Sequence, residues 1–160
     1  MGAIPPRFVC DHMLGTLAKW LRLLGYDTLY PGPLDDRDLA AKAYDDGRVL
    51  LTRDKNLAAR VTGSIFVASD DLDEQLKAVL AALRLSPSNP LSLCSVCNAP
   101  IAEIGREEVK NLIPPAVYEI QWQFWRCPSC SRVYWRGTHW DDMLRRIRKI
   151  EGGSQDPHKG

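Results

Sequence analysis

Two cysteine pairs, Cys94-Ser-Val-Cys97 and Cys127-Pro-Ser-Cys130, and a set of aspartates behind short apolar runs are the residues whose types and spacing could do chemistry. Each Cys-x-x-Cys turn can bite one face of an ion, and four thiolates are the closed tetrahedral set of structural zinc. Two such turns in one chain read as a zinc site rather than a redox pair or a disulfide framework. The fifth cysteine, Cys10, stands inside an apolar run and reads as a small buried hydrophobe. The aspartates Asp11, Asp36 and Asp54, then Asp70 or Asp71, each follow an apolar run. Carboxylates brought together repel one another without a counter-charge, and hard divalent cations such as Mg²⁺ or Mn²⁺ take oxygen ligands of this kind.

The third of these junctions reads Thr52-Arg53-Asp54-Lys55. Metal-assisted cleavage of a phosphodiester needs carboxylates for the ion and cations for the phosphate, and this stretch holds both. The competing reading is local. Aspartate is among the best helix N-caps, and four independent caps would write the same sequence. Asp11 weighs against capping, because the helical periodicity after it begins a few residues later and leaves it poorly placed as a cap.

The elements that must position these residues alternate. Phe8-Val9-Cys10 reads as a strand, followed by Leu14, Leu17, Ala18, Leu21 and Leu24 at helical spacing, with Gly25 as a stop. Thr28-Leu29-Tyr30 reads as a second strand, and Asp36 as the cap of a helix carrying Leu39, Ala40, Ala43 and Tyr44. Arg48 to Thr52 is a third strand before a short helix opened by Asp54, and Ser64 to Ala68 a fourth before a helix bearing Leu72, Leu76, Val79, Leu80 and Leu83. Four strand-helix units in succession predict an α/β fold with a parallel sheet flanked by helices. Every strand-to-helix junction of such a sheet lies on its carboxyl edge, where these folds bind ligands. The expected organisation is an α/β domain over 1–85, a linker over 86–92, a small cysteine module with a basic helix over 93–150 and a mobile polar tail over 151–160.

Two familiar alternatives fail on their residues. A dinucleotide-binding domain wants Gly-x-Gly-x-x-Gly after its first strand, where Asp-His-Met-Leu-Gly stands. A phospho-accepting receiver domain wants an acidic pair there, and Asp11 is followed by His12. The composition, 45% hydrophobic and 26% charged with a formal net charge of +1, is that of a globular chain without an apolar run long enough to span a membrane. The opening Met-Gly-Ala-Ile-Pro-Pro lacks the pattern of a signal peptide, and the expected location is cytoplasmic. Charge is uneven: residues 1–85 hold 11 Lys and Arg against 12 Asp and Glu, whereas 121–150 hold 7 against 2. That late basic stretch interleaves arginine with Trp122, Phe124, Trp125, Tyr134, Trp135 and Trp140, a mixture that can serve a small core or can stack bases and hold phosphates.

Taken in order, Asp11, Leu14-Gly15-Thr16-Leu17-Ala18-Lys19-Trp20-Leu21-Arg22-Leu23-Leu24-Gly25-Tyr26-Asp27, Asp36, Gly47-Arg48-Val49-Leu50-Leu51-Thr52-Arg53-Asp54, the two cysteine pairs and Tyr134-Trp135-Arg136-Gly137-Thr138-His139-Trp140 resemble the Mut-seven C-terminal RNase family. The resemblance covers roughly residues 7–148. It implies a PIN-like nuclease domain followed by a zinc ribbon, and hydrolysis of RNA with one or two Mg²⁺ or Mn²⁺ ions to leave 5′-phosphate and 3′-hydroxyl ends. Carried over by position, Asp11, Asp36 and Asp54 are the metal-binding acids, with Asp38 competing for the second place and Asp70 or Asp71 for a fourth. Arg53 would face substrate phosphate or orient Asp54. Lys19 and Arg22 share a helix face that could line the groove, and Lys55, Arg136, Arg145 and Arg146 are further candidate RNA contacts. Asn98 and Ser131 stand where glycine commonly follows a zinc knuckle. The expected partner is RNA, with a ribosome or an antitoxin-like protein as further candidates. A rival from another class is a non-catalytic RNA- or ribosome-binding adaptor on the same scaffold.

Overall fold

Phe8–Cys10 (β1) is apolar on both faces and fully buried, as a central strand of a parallel sheet must be. The computed structural model describes residues 4–86 and 90–151, with the side chain of His139 left aside. Residues 87–89 of the expected linker and 152–160 of the expected tail lie outside the described residues. Two units, 1–98 and 99–160, make up the chain.

In the first unit β1 pairs in parallel with Thr28–Leu29 (β2) on one side and with Val49–Thr52 (β3) on the other, and β3 pairs with Ile65–Phe66 (β4). The strand order is β2-β1-β3-β4. A 3₁₀ turn, His12–Leu14, leads from β1 into Gly15–Leu23 (α1). The other helices are Asp36–Asp45 (α2), Lys55–Arg60 (α3) and Leu72–Ala82 (α4). The parallel α/β architecture expected from the alternation is therefore present, with β2, β3 and β4 shorter than the strands expected there. β4 is an edge strand of two residues, and Phe66 on it is 41% exposed.

Successive strand residues face opposite ways. Val9 and Leu50 pack with Leu39 and Ala43 of α2 and Leu57 of α3. α1 and α4 pack on each other, burying Leu17, Leu21, Leu76 and Val79. Gly47, at φ +63°, ends α2 in a left-handed turn that glycine adopts without a Cβ penalty.

The second unit is an antiparallel sheet of Ala102–Ile104 (β5), Phe124–Arg126 (β6) and Val133–Trp135 (β7). Two short helices, Arg106–Val109 (α5) and Pro115–Ile120 (α6), fill the connection from β5 to β6. Proline stands at the first helical position of α6. Val109, Ile113 and Phe124 form the core of this unit, with Trp135 and Val133 against them. Thr138–Glu151 (α7) buries Trp140, Met143 and Ile147 and leaves Arg145, Arg146 and Arg148 exposed. Among the described residues no helix is long and apolar enough to cross a membrane.

Leu51 is fully buried in β3, so Leu51→Ala is expected to cost about 2–5 kcal/mol in chemical denaturation. Tyr44→Ala, at a side chain 88% exposed, is expected to leave the midpoint unchanged.

Candidate active site and metal centre

The order β2-β1-β3-β4 sends one connection outward from β1 and the next back across it, so the strand order reverses between β1 and β3. A crevice opens at the carboxyl ends of such a strand pair, the usual ligand position in open α/β sheets. Asp11 directly follows β1, and Thr52-Arg53-Asp54 closes β3.

Thr52 joins the two acids. Its hydroxyl donates to Asp11 Oδ2 at 2.7 Å and accepts the backbone N–H of Asp54 at 2.9 Å. Asp11 Oδ2 also accepts the Arg53 N–H at 2.8 Å, and Oδ1 accepts the Met13 N–H at 2.9 Å. Asp11 is only 7% exposed, so these three donors meet the demand a buried carboxylate makes. The Met13 bond also makes Asp11 the cap of the 3₁₀ turn. The expectation that Asp11 is poorly placed to cap is thus corrected: a turn of 3₁₀ helix fills the gap before α1 that the periodicity left unexplained.

Asp54 is exposed and caps α3 through Oδ1, which accepts Asn56 N–H at 2.9 Å and Leu57 N–H at 3.1 Å. Its Oδ2 carries no hydrogen bond to any described residue. Arg53 is half-buried; Nη2 donates to the Ala68 carbonyl at 3.3 Å, and its buried Nε has no partner among the described residues. Lys55 is exposed at the start of α3. Tyr30 flanks the same edge, its hydroxyl donating to the His12 carbonyl at 2.6 Å. Its ring lies so close to α1 that a Cβ on Gly15 would come within 3.0 Å of the hydroxyl oxygen.

The remaining acids are placed differently. Asp35, not Asp36, caps α2, accepting the Asp38 N–H at 2.8 Å. Asp36 lies in the first turn of α2, and its Oδ2 pairs with Arg60 Nη2 at 3.0 Å, outside the Asp11–Thr52–Asp54 net. Asp38 and Asp70 are exposed, and Asp71 caps α4 by accepting the Glu74 N–H at 3.0 Å. Lys19 is exposed on α1, but Arg22 does not share its open face. Arg22 is 7% exposed, and its guanidinium donates to the carbonyls of Thr28, Ser95 and Val96 at 2.8, 2.9 and 3.1 Å. In the second unit Arg136 lies over the rings of Trp125 and Trp140 at 5.1 and 5.8 Å, and Arg145 pairs with Asp142.

Among the described residues, the four cysteines form the one group of three or more metal-ligating side chains close enough to hold an ion. The Sγ atoms of Cys94, Cys97, Cys127 and Cys130 all lie within 4.8 Å of one another. A tetrahedron of Zn–S bonds near 2.3 Å has edges of about 3.8 Å, so this donor set fits zinc after a small contraction. Both turns carry the same backbone bond, Asn98 N–H to Cys94 carbonyl and Ser131 N–H to Cys127 carbonyl, each 2.9 Å. Cys10 stays apart, fully buried in β1, where burial pushes its thiol far up with the Asp11 charge adding to the shift.

A family model for the Mut7-C RNAse domain matches residues 6–147 of this chain. Among curated proteins, the exonuclease mut-7 homolog of Homo sapiens is 33% identical over 117 residues, 67% of this chain and 13% of that protein. The chain thus spans only a small part of the length of the relative it matches. No solved structure matches significantly.

Thr52→Val, which removes the hydroxyl at constant shape, is expected to cost about 1–3 kcal/mol in thermal or chemical unfolding, because a bond to a buried carboxylate is lost and the Asp54 N–H is orphaned. Thr52→Ser should restore most of it. Asp27 supplies a pH signature. Burial pushes its carboxyl up, but hydrogen bonds from Arg48 and Asn98 and the charges of Arg48 and Arg7 outweigh that and leave it below its ordinary value. The unfolded chain therefore binds the extra proton in the acid range. Asp27 contributes fully above the ordinary carboxylate value, and its contribution is lost as pH falls through the lowered folded value. Asp27→Asn should flatten the acid limb of a stability-against-pH curve.

Proposed function

This chain belongs to the Mut7-C RNAse domain family, and from that membership we propose that it is a divalent-metal-dependent ribonuclease on a PIN-like scaffold, with Asp11 and Asp54 at its centre. The observation that carries the reading is the position of these acids at the carboxyl ends of β1 and β3, the strand pair where the strand order reverses, linked by one threonine hydroxyl.

The oxygens left over are suited to a hard cation. Among the described residues Asp54 Oδ2 accepts no hydrogen bond, and Asp11 Oδ1 accepts one where a carboxylate oxygen can accept about two. Asp36 would join them by leaving Arg60. That pair is exposed at both ends, and such pairs contribute about 1 kcal/mol or less, so its release is cheap. A bound Mg²⁺ or Mn²⁺ supplies Lewis-acid polarisation of the phosphodiester and a water of lowered pKa.

The chain's own residues do the positioning. Thr52 and the Arg53 N–H fix the Asp11 carboxylate against rotation. The Arg53 guanidinium, anchored on the Ala68 carbonyl with Nε unspent, presents charge beside the two acids for a phosphate oxygen. Lys55 and Lys19 add mobile positive charge for the flanking backbone, and Arg136, Arg145 and Arg146 give the zinc ribbon a basic surface for RNA. Zinc at the four cysteines is structural in this reading, since a closed tetrathiolate offers no open coordination position.

Asp54→Asn provides the test, because asparagine caps a helix as well as aspartate does and the fold should survive. With labelled single-stranded RNA and Mn²⁺, cleavage by the native protein is expected to cease with EDTA. It should fall by at least about 100-fold in Asp54→Asn at an unchanged melting temperature, the scale for removing one charge-stabilising group. Salt-sensitive RNA binding with no cleavage in either protein would instead favour the adaptor reading.

A further inference from the structure

β2 is the edge of the parallel sheet, and an edge exposes backbone groups that nothing in the sheet satisfies. Phe8 of β1 bonds to the Asp27 carbonyl, in register with Thr28, so the Thr28 N–H and carbonyl point outward. Thr28 is nonetheless fully buried. Its N–H donates to Asn98 Oδ1 at 3.0 Å, and its carbonyl accepts Arg22 Nε at 2.8 Å. Two side chains thus complete the edge, and both hold the first Cys-x-x-Cys turn. Asn98 is the residue after Cys97, and Arg22 Nη1 donates to the Ser95 and Val96 carbonyls between the two cysteines. The amide nitrogen of Asn98 donates to Asp27 Oδ1 at 2.7 Å, and the same oxygen accepts Arg48 Nη1 at 2.8 Å.

From this geometry we propose that Arg22 and Asn98 are positioning residues of the zinc centre, presetting the Cys94–Cys97 turn on the sheet edge so that metal affinity and the fold of the α/β unit are coupled. A chelating turn already fixed in place has less conformational freedom to lose when it binds, and it binds tighter for that reason. Arg22 is itself buried, so its bonds to the Ser95 and Val96 carbonyls hold the turn from the protein side rather than from solvent. Arg22 is also planar and forked, so one guanidinium reaches the strand and the turn at once.

The bland reading of Asn98 is that it is a turn residue. Its φ of +63° is left-handed, a region where asparagine is tolerated and glycine is free. Ser131 occupies the same place in the second turn at φ +66°, with the same backbone bond to the first cysteine of its pair, and its hydroxyl makes no hydrogen bond to a described residue. The two positions form an internal control.

The test uses the full zinc-loaded chain, with zinc affinity read by competition against a chromophoric chelator and Thr28 amide protection by hydrogen exchange. Ser131→Gly should bind zinc as well as the native chain or better. Asn98→Gly should bind at least about tenfold more weakly and lose protection at Thr28, in keeping with the loss of one to two buried hydrogen bonds. Arg22→Lys, which keeps the charge and loses the fork, should also weaken binding. Native affinity in Asn98→Gly would reduce Asn98 to a turn residue and overturn the proposal, as would native affinity in Arg22→Lys. Should Asn98→Gly fail to fold, Asn98→Asp keeps the acceptor for Thr28 but loses the donor to Asp27; it must still show weakened zinc binding, and native affinity there overturns the proposal equally.

Discussion

The hydroxyl of Thr52 is the interaction around which the carboxyl edge of the sheet is organised. It ties the buried carboxylate after β1 to the backbone of the capping acid after β3, across the point where the strand order reverses. Without it, Asp11 would be a buried charge short of a donor, and the two acids would be independent local caps. With it, the ends of neighbouring strands share one hydrogen-bonded net, and the unspent oxygens of Asp11 and Asp54 belong to a common edge. The metal-dependent cleavage proposed for this edge would need oxygen ligands held still on rigid elements, and the net holds the Asp11 carboxylate in that way.

Capping and chemistry are therefore not alternatives at this edge. Asp54 caps with Oδ1 and keeps Oδ2, whereas Asp11 fills Oδ2 with the Thr52 and Arg53 donors and keeps room for one more partner on the capping Oδ1. Capping fixes the carboxylate orientation, and a fixed carboxylate is a better ligand than a mobile one. Asp35 and Asp71 show the contrast: each caps a helix through a bond to its own first turn, and no described bond joins either to the Thr52 net. The four-cysteine centre follows a parallel logic. Its first turn is held by side chains that also complete the edge of the parallel sheet, so one segment finishes the strand edge and carries two of the four clustered thiols.

Much of this was legible in the residues. The parallel architecture follows from alternation of apolar runs and helical periodicity, and the cysteine set from its spacing. What stayed hidden shares a physical cause: it depends on which long-range partner a side chain finds. Arg22 lies three residues from Lys19, and helical spacing alone put both on one open face; the carbonyls of Thr28, Ser95 and Val96 draw Arg22 inward instead. In Asp35-Asp36-Arg37-Asp38 the caps are one residue apart, a shift below the resolution of periodicity. Thr52 was visible as the end of a strand, yet nothing local announced that its hydroxyl would serve two acids. The signal for Asn98 was its place, a non-glycine where a left-handed turn favours glycine.

The account rests on Asp11 and Asp54 sharing one hard cation, and the most direct measurement is the anomalous scattering of Mn²⁺ in crystals of the native chain. A manganese peak within bonding distance of Asp11 Oδ1 and Asp54 Oδ2, absent from Asp54→Asn crystals, is the predicted result. Fully loaded crystals with no manganese at the carboxyl ends of β1 and β3, or with the ion bound identically after the substitution, would contradict it.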